Sequence, residues 1–272
     1  MSLYHSGLSV GERLLLTLAM PADAREEGAT ANYTIENCLD FARKTLSGFD
    51  RRIAGRTVLD YGCGHGWQAV AMRLQSQADR VFGLDVSDER LAHASSLAAR
   101  LGCADRVGFG KAIPPELERR FDVVVSLCAF EHYPDPAGEL ELMRRQLRPG
   151  GQLLLAFAEP WLSHSGSHFG VFTRIPGTHR PVPWVNLVFS ERALLTLRAK
   201  FRLDRPSRIQ DVDGGLNKMT LGKFERIVRA SGLRVTELRL FPTWGVPLVT
   251  RLPVVRELLT SAASCVLVAD AS

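Results

Sequence analysis

Short apolar runs alternate with amphipathic stretches from residue 56 to residue 158. The runs are rich in β-branched and aromatic side chains. They predict strands at Thr57–Tyr61, Arg80–Asp85, Val107–Gly110, Phe121–Cys128 and Gln152–Phe157. Between them lie helices: one from about Trp67 to Leu74, one capped by Ser87 with Asp88 and Glu89 in its first turn, and one over Ala137–Leu147. Leu140, Met143 and Leu147 share a face of the last, and Arg148-Pro149-Gly150-Gly151 stops it. Regular alternation of this kind argues for a parallel α/β sheet.

Both flanks depart from the rhythm. Residues 1–55 read as helical, with a small apolar stripe from Leu8 to Met20 and a helix from a Thr34 cap to about Leu46. Lying before the sheet, they are expected to form a lid over one edge. Residues 159–219 are rich in Pro, Gly, Ser, His and Trp, with one short helix near Glu191–Lys200, and a stretch this long is unusual unless it is functional. Thr220 caps a helix through Ser231, with Phe224, Ile227 and Val228 inward and Gly232 as its stop. Leu233–Phe241 and Ser264–Ala269 read as the last two strands, around a second apolar insert from Pro242 to Leu259. The expected units are thus 1–55, a lid; 56–158, the core; 159–219, an insert; and 220–272, the rest of the sheet.

Composition narrows the class. At 272 residues the chain makes one large domain, or one domain plus a lid. No apolar run approaches the roughly 20 residues of a membrane span, and the polar first ten residues do not read as a signal peptide. Five scattered cysteines without a C-x-x-C pair suggest reduced thiols and a cytoplasmic protein. The net charge of +5 is spread along the chain without the Lys/Arg run that marks a nucleic-acid patch, so no nucleic-acid partner is expected, and the charge favours an acidic substrate only weakly.

The candidate chemistry begins at Asp60-Tyr61-Gly62-Cys63-Gly64-His65-Gly66. A buried strand ends in a carboxylate, and three glycines follow at every second position. Glycines admit positive φ and let a ligand come close, while the helix that follows points free N–H groups into the same space. The spacing is neither G-x-G-x-x-G nor a phosphate-binding loop ending in Gly-Lys-Ser/Thr. A tight turn without a ligand is the other reading. Asp85 ends the second strand about 20 residues on, where a doubly wound nucleotide site places an acid on ribose hydroxyls.

Asp60-x-Gly62-x-Gly64-x-Gly66 resembles the first motif of class I S-adenosylmethionine (SAM) dependent methyltransferases. Glu131-His132-x-x-Asp135-Pro136 after strand four, with Arg148-Pro149-Gly150-Gly151 before strand five, resembles ubiquinone-biosynthesis-like small-molecule members. The resemblance covers about residues 56–158. It implies a Rossmann-like, doubly wound, seven-stranded and mostly parallel sheet, with SAM as cofactor. It places Asp60, Gly62, Cys63 and Gly64 at the aminoacid part of SAM, Asp85 and Val86 at the ribose, and Ser126 and Leu127 at the end of strand four. It also suggests Tyr33 for the carboxylate. Relatives carry an acid near Lys111 for the adenine amino group, so here backbone contacts at Lys111 and Ala112 are expected instead.

For methyl transfer to a hydroxyl, His132 is the first candidate base; its other reading is a turn cap. Glu131, Trp161, His164, His168 and Trp184, with Phe169, His179, Phe189, Trp244 and Pro247, are candidates to line an apolar substrate pocket. Some relatives hold a divalent cation at E-x-x-E-H. Here Cys128 replaces the first acid, and Gly166 argues against a helical pair of His164 and His168, so no metal ligand is assigned. The alternatives are a metal-assisted O-methyltransferase using Glu131, His132, His164 and His168, a catalytically silent SAM-binding regulatory protein, and a NAD-dependent dehydrogenase. An RNA or protein methyltransferase is disfavoured, since Ser126-Leu127-Cys128-Ala129 is not an N-P-P-Y-like tetrapeptide. The oligomeric state, monomer or dimer, stays open.

Overall fold

The computed structural model describes residues 8–18, 34–166, 168–169, 182–202, 205–246 and 252–270, without the side chains of 213, 214, 244 and 254. Tyr33, His179 and Pro247 lie outside the described residues, as does the side chain of Trp244. Seven strands form one sheet: β1 Thr57–Tyr61, β2 Arg80–Leu84, β3 Val107–Gly110, β4 Phe121–Leu127, β5 Leu147–Ala158, β6 Arg234–Pro242 and β7 Thr260–Val268. Their order is β3-β2-β1-β4-β5-β7-β6. The pairs among β1 to β5 are parallel, and β7 runs antiparallel to both β5 and β6. The expected seven-stranded, mostly parallel sheet is therefore present.

Alternate side chains feed opposite faces of the sheet, as the strand period of two demands. Val58, Val81, Val123, Val125 and Leu154 pack under one face with α2 (Asp40–Thr45), α3 (Phe49–Ile53), α4 (Trp67–Leu74) and α5 (Asp88–Arg100). Leu59, Phe82, Val124, Leu153 and Leu155 pack on the other with α6 (Pro136–Gln146) and α9 (Leu221–Ala230). Burial on both sides explains why the strands read as continuous apolar runs.

Several boundaries move, each for a visible reason. β2 stops at Leu84 because Asp85 turns away to bond backbone of the neighbouring loop. β4 stops at Leu127 because Cys128 is left-handed, with φ 51°. β5 begins at Leu147, not Gln152, because Leu147 pairs with Phe121 and Gly151 accepts the Ala269 N–H. The helix expected from Thr34 begins only at Asp40: the Asn37 side chain takes the Thr34 N–H and holds residues 35–39 as a turn.

The long insert has its own core. α7 (Val185–Val188) and α8 (Glu191–Phe201) bury Val185, Ala193, Leu194 and Leu197 with Phe169, Ile209, Val212 and Leu216. The first helix, α1 (Val10–Leu18), adds Leu15 and Leu16 to this cluster. The Glu12 carboxylate accepts hydrogen bonds from both the Ser190 N–H and its hydroxyl. The segment expected as one N-terminal lid thus divides: α1 joins the insert, while α2 and α3 join the sheet. A short helix, α10 (Pro253–Leu259), precedes β7.

Phe224 of α9 is fully buried, with ring centroids 5.8 Å from Phe130 and 5.0 Å from Phe157. Phe224→Ala is expected to lower unfolding stability by about 3–5 kcal/mol in a urea titration. A loss under about 1 kcal/mol would mean that this face of the sheet does not depend on the ring.

Candidate active site

The carboxyl ends of β1, β2, β4 and β5 converge on one edge. The loop after β1 is fastened there first by backbone: the Gly62 and Cys63 N–H groups both donate to the Leu84 carbonyl, at 2.8 and 3.0 Å. Asp85 completes the fastening. One carboxylate oxygen accepts from the Gly64 N–H at 2.9 Å and the other from the Ser87 N–H at 3.0 Å. Each oxygen keeps a second lone pair for a ligand hydroxyl.

The three glycines serve three purposes. A Cβ on Gly62 would lie 2.7 Å from the Tyr133 hydroxyl, and one on Gly66 would lie 2.5 Å from Ala94 Cβ. Those two positions are small because protein packs against them. Only at Gly64 does a Cβ meet nothing within 4 Å, so only this glycine borders open space. Below the loop sits Asp60, 1% exposed, with neither carboxylate oxygen bonded among the described residues. Burial, helped by the negative charge of Asp85, pushes its carboxyl up to about 7.

Other expected cofactor residues are placed less simply. Cys63 is buried, and burial raises its thiol far out of reactive range. Val86 stands 86% exposed beyond Asp85. Lys111 gives its ammonium to Asp88 at 2.7 Å, so its side chain is already engaged and its backbone, with Ala112, is left for recognition. Ser126 is fully buried and lies 3.2 Å from the Tyr133 hydroxyl, which also donates to the Tyr61 carbonyl. The Leu127 side chain packs in the core, so only its main chain can serve a ligand.

A second cluster forms where β4 and β5 end. A 3₁₀ turn, Phe130–His132, follows Cys128. Glu131 is buried, its Oε2 has no hydrogen-bond partner among the described residues, and burial pushes its carboxyl up to about 7. His132 Nδ1 lies 2.6 Å from the Gly215 carbonyl. A carbonyl only accepts, so Nδ1 carries the hydrogen and the neutral ring keeps its lone pair on Nε2. The rings of His132 and His168 stand 5.1 Å apart, and ligand atoms from Glu131, His132 and His168 all lie within 4.8 Å of one another. Glu159, raised by burial, is partly offset by His168. Cys128, Glu159 and His168 are all left-handed, with φ of 51°, 54° and 54°. Three such non-glycine residues in one place store strain of the kind found at ligand sites.

The structure separates the remaining expected residues. His164 leaves the cluster: its Nδ1 meets the Thr243 hydroxyl at 3.3 Å, and its carbonyl accepts the Trp184 N–H. Trp161 packs against the insert core with Lys218 over its ring at 5.3 Å. Trp184 has a buried indole N–H with no acceptor among the described residues. Four residues at the site went unnoticed in the sequence: Tyr133, Glu159, Gly215 and Asn217. Asn217 donates to the Phe130 and Tyr133 carbonyls and, through its own N–H, to that of Glu131. Glu159 was findable, since it directly follows strand five at the carboxyl edge.

The family of the Methyltransferase domain matches residues 32–238, about three quarters of the chain. The chain belongs to this methyltransferase family. A curated relative, the ubiquinone biosynthesis O-methyltransferase of Azotobacter vinelandii (strain DJ), is 33% identical over 105 residues, 39% of this chain and 45% of the relative. The match thus spans under half of that relative's length. Among solved structures, a methyltransferase in complex with the Haloferax volcanii Trm112 methyltransferase activator is similar at TM-score 0.53 and 21% identity, covering 87% of this chain and 93% of that one. A SAM-dependent methyltransferase from Mesorhizobium loti is similar at TM-score 0.50 and 18% identity, covering 80% and 92%. At these identities the two structures speak for the fold.

SAM is the cofactor of this class I methyltransferase family, and the residues fit it. In that role the open space at Gly64 would take the aminoacid end, Asp85 would accept from two ribose hydroxyls, and Asp60, unbonded among the described residues, would favour the ligand's positive charge. Because the Asp60 carboxyl is raised to about 7, its ionised fraction grows as pH rises toward that value. An α-ammonium stays protonated until roughly pH 7.7–8.0. SAM affinity measured by calorimetry is therefore expected to tighten from pH 5.5 to 7, by at most about tenfold per unit, and Asp60→Asn should flatten the profile. An equally steep profile in the variant would remove Asp60 from cofactor binding.

Proposed function

We propose that the chain moves a methyl group from SAM to an oxygen or nitrogen of a small organic molecule, with His132 removing the proton. SAM supplies a methyl carbon that already bears a good leaving group. The protein's part is to align the acceptor, exclude water and take the proton. The observation that carries this reading is the hydrogen bond from His132 Nδ1 to the Gly215 carbonyl. It leaves Nε2 as the basic nitrogen, one residue from Tyr133, whose hydroxyl packs against the glycine loop. Glu131 and His168 adjoin it, and they would contact a polar substituent of the acceptor. Trp161, His164 and Trp184 belong to the insert that covers this edge, and they contribute as its walls rather than as part of the acid–base cluster.

A second reading, metal-assisted methyl transfer, has an observation of its own: one oxygen and two imidazoles within 4.8 Å, with Glu131 Oε2 unpartnered. Imidazole with carboxylate suits zinc or iron. Cys128 stands where relatives carry an acid, so the donor set differs from theirs at that position.

The two readings separate cleanly. For His132→Ala, release of S-adenosylhomocysteine across a panel of phenols, catechols and amines is expected to fall roughly 10²-fold or more, with SAM affinity unchanged. Near-normal turnover would reduce His132 to a turn cap. If a metal is required, elemental analysis of the purified protein will find about one zinc or iron per chain, lost in His168→Ala. Full turnover after exhaustive chelation would sink that reading and leave the base mechanism standing.

A further inference from the structure

At the opposite edge of the sheet, where β1, β4 and β5 begin, lies a cavity of about 410 Å³. Its charged walls are Arg51, Arg52, Arg56, Arg148 and Asp122, with Gln152 beside them. The arginines are not equivalent. Arg52 is spent on structure: it pairs with Glu237, donates to Gln152 Oε1 at 3.0 Å, and donates to the Ser47 carbonyl at 2.7 Å. Arg148 and Arg56 share a single carboxylate, Asp122, at 2.6 and 3.9 Å, while the other Asp122 oxygen takes the Thr57 N–H at 2.8 Å. Arg51 is exposed and has no hydrogen-bond or ion-pair partner among the described residues. Its guanidinium folds back toward Gly48, where a Cβ would meet Nη2 at 3.2 Å.

Counting charges, four guanidiniums face two carboxylates, so two positive charges remain inside a concave polar surface. Such an arrangement repels cations and offers little to an apolar guest. We propose that this cavity binds a phosphate-bearing anion, carried on a soluble metabolite or on a lipid headgroup. Guanidinium forks match phosphate oxygens two at a time, and two uncompensated charges match a diphosphate or a doubly charged monoester. The volume lies within the range of small-molecule sites. Because the cavity opens away from the ends of β1 and β2 that carry Asp60 and Asp85, occupancy does not compete with SAM.

The test uses the full chain and pyrophosphate in calorimetry at low, fixed ionic strength, since exposed arginines are screened by salt. One saturable site is expected, weakened at least tenfold in the Arg51→Gln/Arg56→Gln double variant, with SAM affinity unchanged. Neither residue is buried, and the variant's circular dichroism and SAM affinity report its folding directly. A parallel arm sediments the protein with phosphatidylglycerol or phosphatidylcholine vesicles. Binding to the anionic vesicles alone, lost in the double variant, assigns the lipid source even if pyrophosphate is ignored; pyrophosphate binding without sedimentation assigns the soluble one. If neither depends on Arg51 and Arg56, the proposal is overturned. Success or failure here leaves the methyl-transfer reading untouched.

Discussion

The candidate cofactor site depends on one carboxylate. Asp85 sits past the end of β2 and takes a backbone N–H from each of two loops, Gly64 on one side and Ser87 on the other. Without it, the loop after β1 would keep its bonds to the Leu84 carbonyl and the contact of His93 Nδ1 with the His65 carbonyl, but the start of α5 would lose its tie to Gly64. A charged acceptor makes these bonds stronger than neutral ones would be. The same group is thus a structural staple whose geometry is set by the fold, with acceptor capacity left for a ligand hydroxyl.

Two other acids show what happens without such partners. Asp60 and Glu131 are buried, have unbonded oxygens among the described residues, and are both pushed up to about 7. Burial of an unpaired charge is costly, so each carboxyl retains its proton more tightly than in water. They differ in surroundings. Asp60 has a second negative charge nearby, that of Asp85, and no cation beside it among the described residues. Glu131 has two imidazoles and the left-handed Cys128 and Glu159 around it, an arrangement that can hold a proton or a cation between several donors.

The insert supplies the rigidity of this second cluster. Gly215 takes the Nδ1 hydrogen of His132, and Asn217 donates to three carbonyls of the turn it adjoins, those of Phe130, Glu131 and Tyr133. A Cβ at Gly215 would lie 3.1 Å from the His132 carbonyl, so the close approach that fixes the imidazole needs a glycine there. The insert's apolar residues, meanwhile, pack on one another and on α1. This is why Trp161 and His164, read from the sequence as neighbours of His168, part from it in space.

The sequence by itself determined the strands of the core, the turn at the three glycines and the position of Asp85. Those features arise from local periodicity, backbone preference and the fixed length of a strand–helix–strand unit, all of which act over a few residues to a few turns. Even there it could not say that Gly62 and Gly66 are small for packing while Gly64 alone faces open space. The tertiary structure decided which histidine joins Glu131, that Glu159, Gly215 and Asn217 gather around the same turn, and that Arg56 and Arg148 share one acid. Such contacts join residues far apart along the chain with no repeat to announce them, because they are set by where the sheet's two edges and the insert's own core bring the backbone.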